Sequence, residues 1–155
     1  MNWQIVAGGL DDPQVAALVA HHVATSRTQT AAGSAHSLGV ASLHDADIRF
    51  WSLWDGGDLV AIGALRRLSG DHGEVKSMHV AEARRGQGAG AAMLDVIVEA
   101  ARADGLNRLS LETGSWEYFR PAHGLYRRNG FVECEAFEGY QPDPNSLFFT
   151  RSLAD

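Results

Sequence analysis

The stretch ARRGQGAGAAML (Ala83–Leu94) sets Gly86, Gly88 and Gly90 within five positions, directly ahead of an apolar helical pattern. Glycine inside a helix costs roughly 1 kcal/mol relative to alanine, so this cluster belongs to a loop and a helix entry. A helix entry leaves backbone N–H groups unpaired and presents the positive end of the helix dipole. Residues without a Cβ let a ligand come close to those amides, and the stretch reads as a cradle for an anion. Arg84 and Arg85 add local positive charge to a chain whose formal net charge is −6. Two phosphate motifs are excluded. The segment lacks the Gly-Lys-Ser/Thr that closes a P-loop. Its glycines also do not have the dinucleotide spacing, and no first βαβ unit stands at that point.

Working outward, "EVKSMHV" (Glu74–Val80) precedes the cradle with strand character. After it Leu94, Ile97, Val98 and Ala101 form an apolar stripe opposite Asp95, Glu99 and Arg102, and Gly105 stops that helix. "NRLSLET" (Asn107–Thr113) is the next strand, which completes a strand–helix–strand unit. Upstream, "RFWSLW" and "LVAIGALRRL" are β-rich runs joined by Asp55-Gly56-Gly57-Asp58, a hairpin signal. "WQIVA" (Trp3–Ala7) reads as a first strand and "DDPQVAALVAHHV" as a helix, with Asp12 as N-cap and Pro13 at the first helical position. Residues 25–46 have no clean period and read as a loop with a short helix. "FRPAHGLYRRNG" is a loop and short helix ending at Asn129-Gly130, and "SLFFTRSL" a late strand. The order β-α-loop-β-β-β-α-β-α-β is mixed α/β.

The totals narrow the class further. At 155 residues, 45% hydrophobic and 21% charged, the chain suits one globular domain spanning 1–155. No apolar run approaches the roughly 18–20 residues of a membrane span, and "MNWQIVAGGLDDP" lacks a secretory pattern. The single cysteine, Cys134, cannot form an internal disulfide, which points to the cytoplasm. The negative balance argues against a nucleic-acid partner. Seven histidines are present, yet none has metal-ligand spacing, so no metal is expected.

The pattern Arg85-x-x-Gly88-x-Gly90 resembles the Gln/Arg-x-x-Gly-x-Gly/Ala motif of the GNAT acetyltransferases. Ala122, Leu125, Tyr126, Gly130 and Phe131 are in register with that family's A-x-x-L-Y-x-x-x-G-F ending, and the resemblance covers roughly residues 48–153. "EVKSMHV", "LETG", "LYRRNGF" and "SLFFTRSL" also resemble a narrower branch, the YsnE-like N-acetyltransferases. The resemblance implies a mostly antiparallel, twisted central sheet of six to seven strands flanked by about four helices. It further implies acetyl-CoA as co-substrate, with the pyrophosphate on the amides of Arg85, Gly86, Gln87, Gly88, Ala89 and Gly90 and the pantetheine along Met78, His79 and Val80.

For chemistry, the resemblance makes Tyr126 the proton donor to the departing thiolate, a role a phenol can fill. It also places the general base of several relatives at Glu74. By strict alternation Glu74, Lys76, Met78 and Val80 share one strand face, and pairing with Lys76 would weaken Glu74 as a base. Many relatives carry an Asn seven residues before the tyrosine; here Phe119 stands there and cannot make that hydrogen bond. Trp51, Glu112 and Trp116 are candidate acceptor contacts. Trp54, Tyr118 and Tyr140 are further candidate pocket walls, and Glu117 a further candidate acid. The expected function is acetyl transfer from acetyl-CoA to a primary amine of a small or amino-acid-like molecule, by direct attack in a ternary complex. The alternatives are an acyl-CoA-binding regulatory module and an acetyltransferase of a protein amine, in a monomer or homodimer.

Overall fold

The computed structural model describes residues 2–154. Strand β1 (Trp3–Ala7) leads into α1 (Pro13–Thr28), whose N-cap Asp12 accepts a hydrogen bond from the Gln14 amide. A loop holding the four-residue helix α2 (Val40–Leu43) connects to β2 (Ile48–Asp55), β3 (Asp58–Arg67) and β4 (His72–Val80). Then come α3 (Ala89–Ala103), β5 (Arg108–Gly114), α4 (Arg120–Arg128), β6 (Val132–Cys134) and β7 (Ser146–Ser152). The strands form one sheet in the order β1-β2-β3-β4-β5-β7-β6. All neighbours are antiparallel except β4 and β5, which α3 connects in parallel. This is the expected mixed sheet with an embedded strand–helix–strand unit.

The predicted stripe of α3 is buried: Leu94, Ile97, Val98 and Ala101, together with Met93, pack on β2, β3 and β4. Burying each of the larger side chains contributes about 1.5–3 kcal/mol. Gly105, at φ +78, ends the helix in the left-handed region. A second apolar layer joins Val15 and Val19 of α1 to Leu43, Phe50 and Ile62.

Three expectations need correction. Helix α1 runs on to Thr28 into the segment read as loop, closed by the Thr28 hydroxyl and the Gln29 amide donating to the Thr25 carbonyl. Strand β6, within the six to seven strands the resemblance implies but absent from the order read along the chain, is three residues long at the sheet edge, too short for a legible alternation. The strict alternation of β4 also fails. Ile62 pairs with His79 but Ala64 with Lys76, so β4 carries an extra residue opposite Gly63, and Ser77 there adopts φ +55. Beyond this bulge the faces exchange. Val75, Met78 and Val80 join the layer under α3, whereas Glu74 and Lys76 bond to Tyr140 and His79 meets His22 of α1. Glu74 and Lys76 therefore share a face with His79, not with Met78 and Val80.

Candidate active site

Strands β4 and β5 pair only at His72–Arg108, Gly73–Leu109 and Glu74–Ser110. Past that point they diverge, and the split holds a cavity of about 600 Å³. Such a volume suits a small-molecule or cofactor site. Residues from both sides of the sheet line it: the glycine loop and α4 on one, α1 and the loop that follows it on the other.

The three glycines of the loop differ in what they do for the backbone. Gly86 and Gly88 have φ +78 and +87, with open space where a Cβ would stand. Gly88 is the N-cap of α3 and offers no side-chain acceptor, so the first amides of that 15-residue helix are left for a ligand. At Gly90 a Cβ would come within 2.9 Å of Leu125 Cδ2; its small size lets α3 approach α4. Arg85 lines the cavity, its Nη2 lying 3.5 Å from the Tyr118 hydroxyl. Arg84 turns away and is bonded at 2.7 and 3.1 Å to Asp55 and Asp58 of the β2–β3 hairpin. Open space beside two left-handed glycines, an uncapped helix start and one arginine fit a pyrophosphate. Ala89 also lines the cavity, whereas Gln87 does not.

Met78, His79 and Val80 line the cavity, as does Tyr126. Burial pushes the Tyr126 phenol up to about 12, which keeps it protonated. Phe119 also lines the cavity, and its ring covers Gly114 so closely that a Cβ there would lie 2.2 Å from Cε2.

On the α1 side, His36 Nδ1 lies 2.7 and 2.8 Å from the two carboxylate oxygens of Glu112, and Ser146 Oγ donates to the same carboxylate at 2.9 Å. All three residues line the cavity, as does Lys76. The Lys76 ammonium donates to the His36 carbonyl at 3.2 Å and to the Tyr140 hydroxyl at 3.0 Å. Glu74 does not line the cavity. It is 1% exposed, accepts the Tyr140 hydroxyl at 2.5 Å and lies 3.5 Å from Lys76 Nζ. Trp51, a candidate acceptor contact, sits in the apolar core under the Arg49 guanidinium. Trp116 is a surface residue, bonded through Nε1 to Asn145. Of the three acceptor candidates the fold brings only Glu112 to the cavity. His22 and His36, which sequence spacing left unassigned, are there instead; their partners His79 and Glu112 lie 57 and 76 residues away, beyond the reach of local patterns.

A family model described as "Acetyltransferase (GNAT) family" matches residues 18–131. The chain belongs to the GNAT acetyltransferase family. Among GNAT relatives, it is 42% identical to the N-acetyltransferase YsnE of Bacillus subtilis over 140 residues, covering 90% of this chain and 93% of that one. It is 40% identical to the N-acetyltransferase YedL of Escherichia coli over 146 residues, covering 94% and 92%. A solved acyl-CoA N-acyltransferase from Klebsiella pneumoniae superposes with a TM-score of 0.80 at 28% identity, covering 98% of both chains. The narrower YsnE-like resemblance holds along the GNAT fold. No helix among the described residues is long and apolar enough to cross a membrane.

Proposed function

We propose that this GNAT acetyltransferase moves an acetyl group from acetyl-CoA to a primary amine of a small or amino-acid-like molecule, by direct attack in a ternary complex. The observation that carries this reading is a cavity lined from both sides of the sheet. Its α3 side presents uncapped helix amides and Arg85, and its α1 side presents the Glu112 carboxylate. An anionic tail and a cationic acceptor are thereby drawn to different ends.

Acetyl-CoA supplies the activated acetyl group. The amides from Gly86 to Gly90, with Arg85, hold its pyrophosphate, and the backbone of Met78 and His79 beside the bulge orients the carbonyl. The Tyr126 hydroxyl gives its proton to the departing sulfur. Glu112 attracts the amine. Phe119 packs where relatives carry an asparagine, so pantetheine is held there by apolar contact alone. Glu74 has no direct path to an acceptor; it holds Lys76 and Tyr140 in place from beneath.

Titration with acetyl-CoA should raise the melting temperature, since ligand at 100 times its dissociation constant adds about 2.7 kcal/mol. Coenzyme A release should then be followed over tyramine, spermidine, ethanolamine, the free amino acids and a lysine peptide. Turnover on a small amine supports the reading. Binding without any turnover would make this a regulatory module, and turnover on the peptide alone would move the acceptor to protein.

A further inference from the structure

We infer that His36 is the general base for the acceptor amine and that Glu112 is its positioning residue, an inference that rests on the acetyltransferase reading above. Both oxygens of Glu112 lie within 2.8 Å of His36 Nδ1, so Nδ1 carries the ring proton and donates it to the carboxylate. In the neutral ring this fixes the tautomer and makes Nε2 the lone-pair nitrogen, with no protein hydrogen bond among the described residues. A neutral imidazole with one free lone pair is the species that can accept a proton.

The dyad is itself held in place. Ser146 Oγ donates to Glu112, the Tyr140 ring meets the imidazole edge-on at 5.3 Å, and Lys76 Nζ donates to the His36 carbonyl. His36 lies in the loop after α1, Glu112 on β5 two residues past the last β4–β5 pair, and Lys76 on β4. Among the described residues the charged groups around His36 are Glu112 at the ring, Lys76 at its backbone carbonyl, and Asp143. The last of these is held below the usual carboxylate range by Ser34, then by the Asn145 amides, with His36 a lesser contributor. Glu74 is screened from the cavity by Tyr140 and Lys76, whereas His36 keeps 40% of its side chain exposed. A base must touch its substrate, and of these two His36 can.

The step balances without a further reagent. The amine nitrogen bonds the acetyl carbon while its proton passes to His36 Nε2. The carbon–sulfur bond breaks, and Tyr126 protonates the sulfur. The products are an amide and free coenzyme A, and the His36 proton returns to Tyr126 through solvent.

The test pairs kinetics with a readout of the ring. In the full-length protein, nitrogen NMR of His36, assigned by its loss in His36→Gln, should show the Nδ1–H tautomer. Glu112→Gln, whose amide can donate to Nδ1, should shift the proton to Nε2. With the best small amine of the panel, His36→Gln should lose about 10²–10⁴-fold in kcat at unchanged acetyl-CoA affinity and lose the acidic limb of its pH profile. Glu112→Gln should show the same change in pH profile, and free imidazole should partly rescue His36→Ala. Retention of the parent's kcat and pH profile by folded His36→Gln, or an Nε2–H tautomer in the parent, overturns the base assignment alone. A parent that acetylates no amine overturns the enzyme reading, and the base assignment falls with it.

Discussion

His22 Nδ1 and His79 Nδ1 lie 2.9 Å apart, so one imidazole donates to the other and the two cannot both be protonated. Burial, then the charges of Lys76 and His21, pushes His22 down to about 4. Burial, then His22, Arg85 and His21, pushes His79 down to about 3. In the unfolded chain each returns to about 6.5.

The pair therefore makes stability depend on pH. Between about 6.5 and 4 the unfolded state binds more protons than the folded one, so stability falls as pH falls. For His22 alone the full loss is on the order of 3 kcal/mol, reached only below pH 4. Urea midpoints measured from pH 7 to pH 5 should fall in the parent and fall less in His22→Gln. Parallel curves would show that the pair is not neutral in the fold.

The glycine cradle yields a charge test. Any side chain at Gly88 is strained, because φ is +87, but asparagine tolerates that region better than most residues. Gly88→Asn and Gly88→Asp thus share a shape and differ in charge. The aspartate variant should bind acetyl-CoA at least tenfold more weakly than the asparagine variant, with the gap closing at high salt. Equal calorimetric affinities would place the pyrophosphate elsewhere.

What the sequence made legible was local. The Gly86–Gly90 cluster, the α3 stripe and Tyr126 each declare themselves within a few residues; the three glycines and Tyr126 line the cavity, and the stripe is buried in the core. Alternation puts Glu74 on the wrong face because it assumes an unbroken strand, and Ser77 at φ +55 is a non-glycine residue that signals no bulge. Trp51 looked like a pocket wall because an aromatic in a strand reads the same on either face; here it faces the core. The His36–Glu112 pair joins an aperiodic loop to β5, a contact set by how the loop drapes over the sheet.

Tyr126 tests the acid. It is 7% exposed and touches Phe131 and Phe149 by its ring, so Tyr126→Phe keeps the packing and removes only the hydroxyl. Thermal stability should change little, and kcat should fall by about 10²–10⁴-fold. A fall under about threefold, with chemistry shown to limit the rate, would leave Tyr126 a packing residue.

Glu74 separates a buried support from a base. Its carboxylate is enclosed, takes the Tyr140 hydroxyl and faces the Lys76 ammonium, itself only 9% exposed. Glu74→Gln preserves shape and an acceptor for Tyr140 but leaves Lys76 buried without its anion. Breaking such a pair costs about 3–5 kcal/mol. The retained hydrogen bond puts this case at about 3 kcal/mol, read as a lower urea midpoint at unchanged slope. Tyr140→Phe removes the donor from the same group and should cost about 1–3 kcal/mol. Because both act on one carboxylate, the double variant should lose less than the sum. Well below the unfolding transition, Glu74→Gln should keep most of its kcat and show a raised acceptor KM as Lys76 shifts in the cavity wall. A variant as stable as the parent that has lost kcat, with recovery at high pH, would return the proton-accepting role to Glu74.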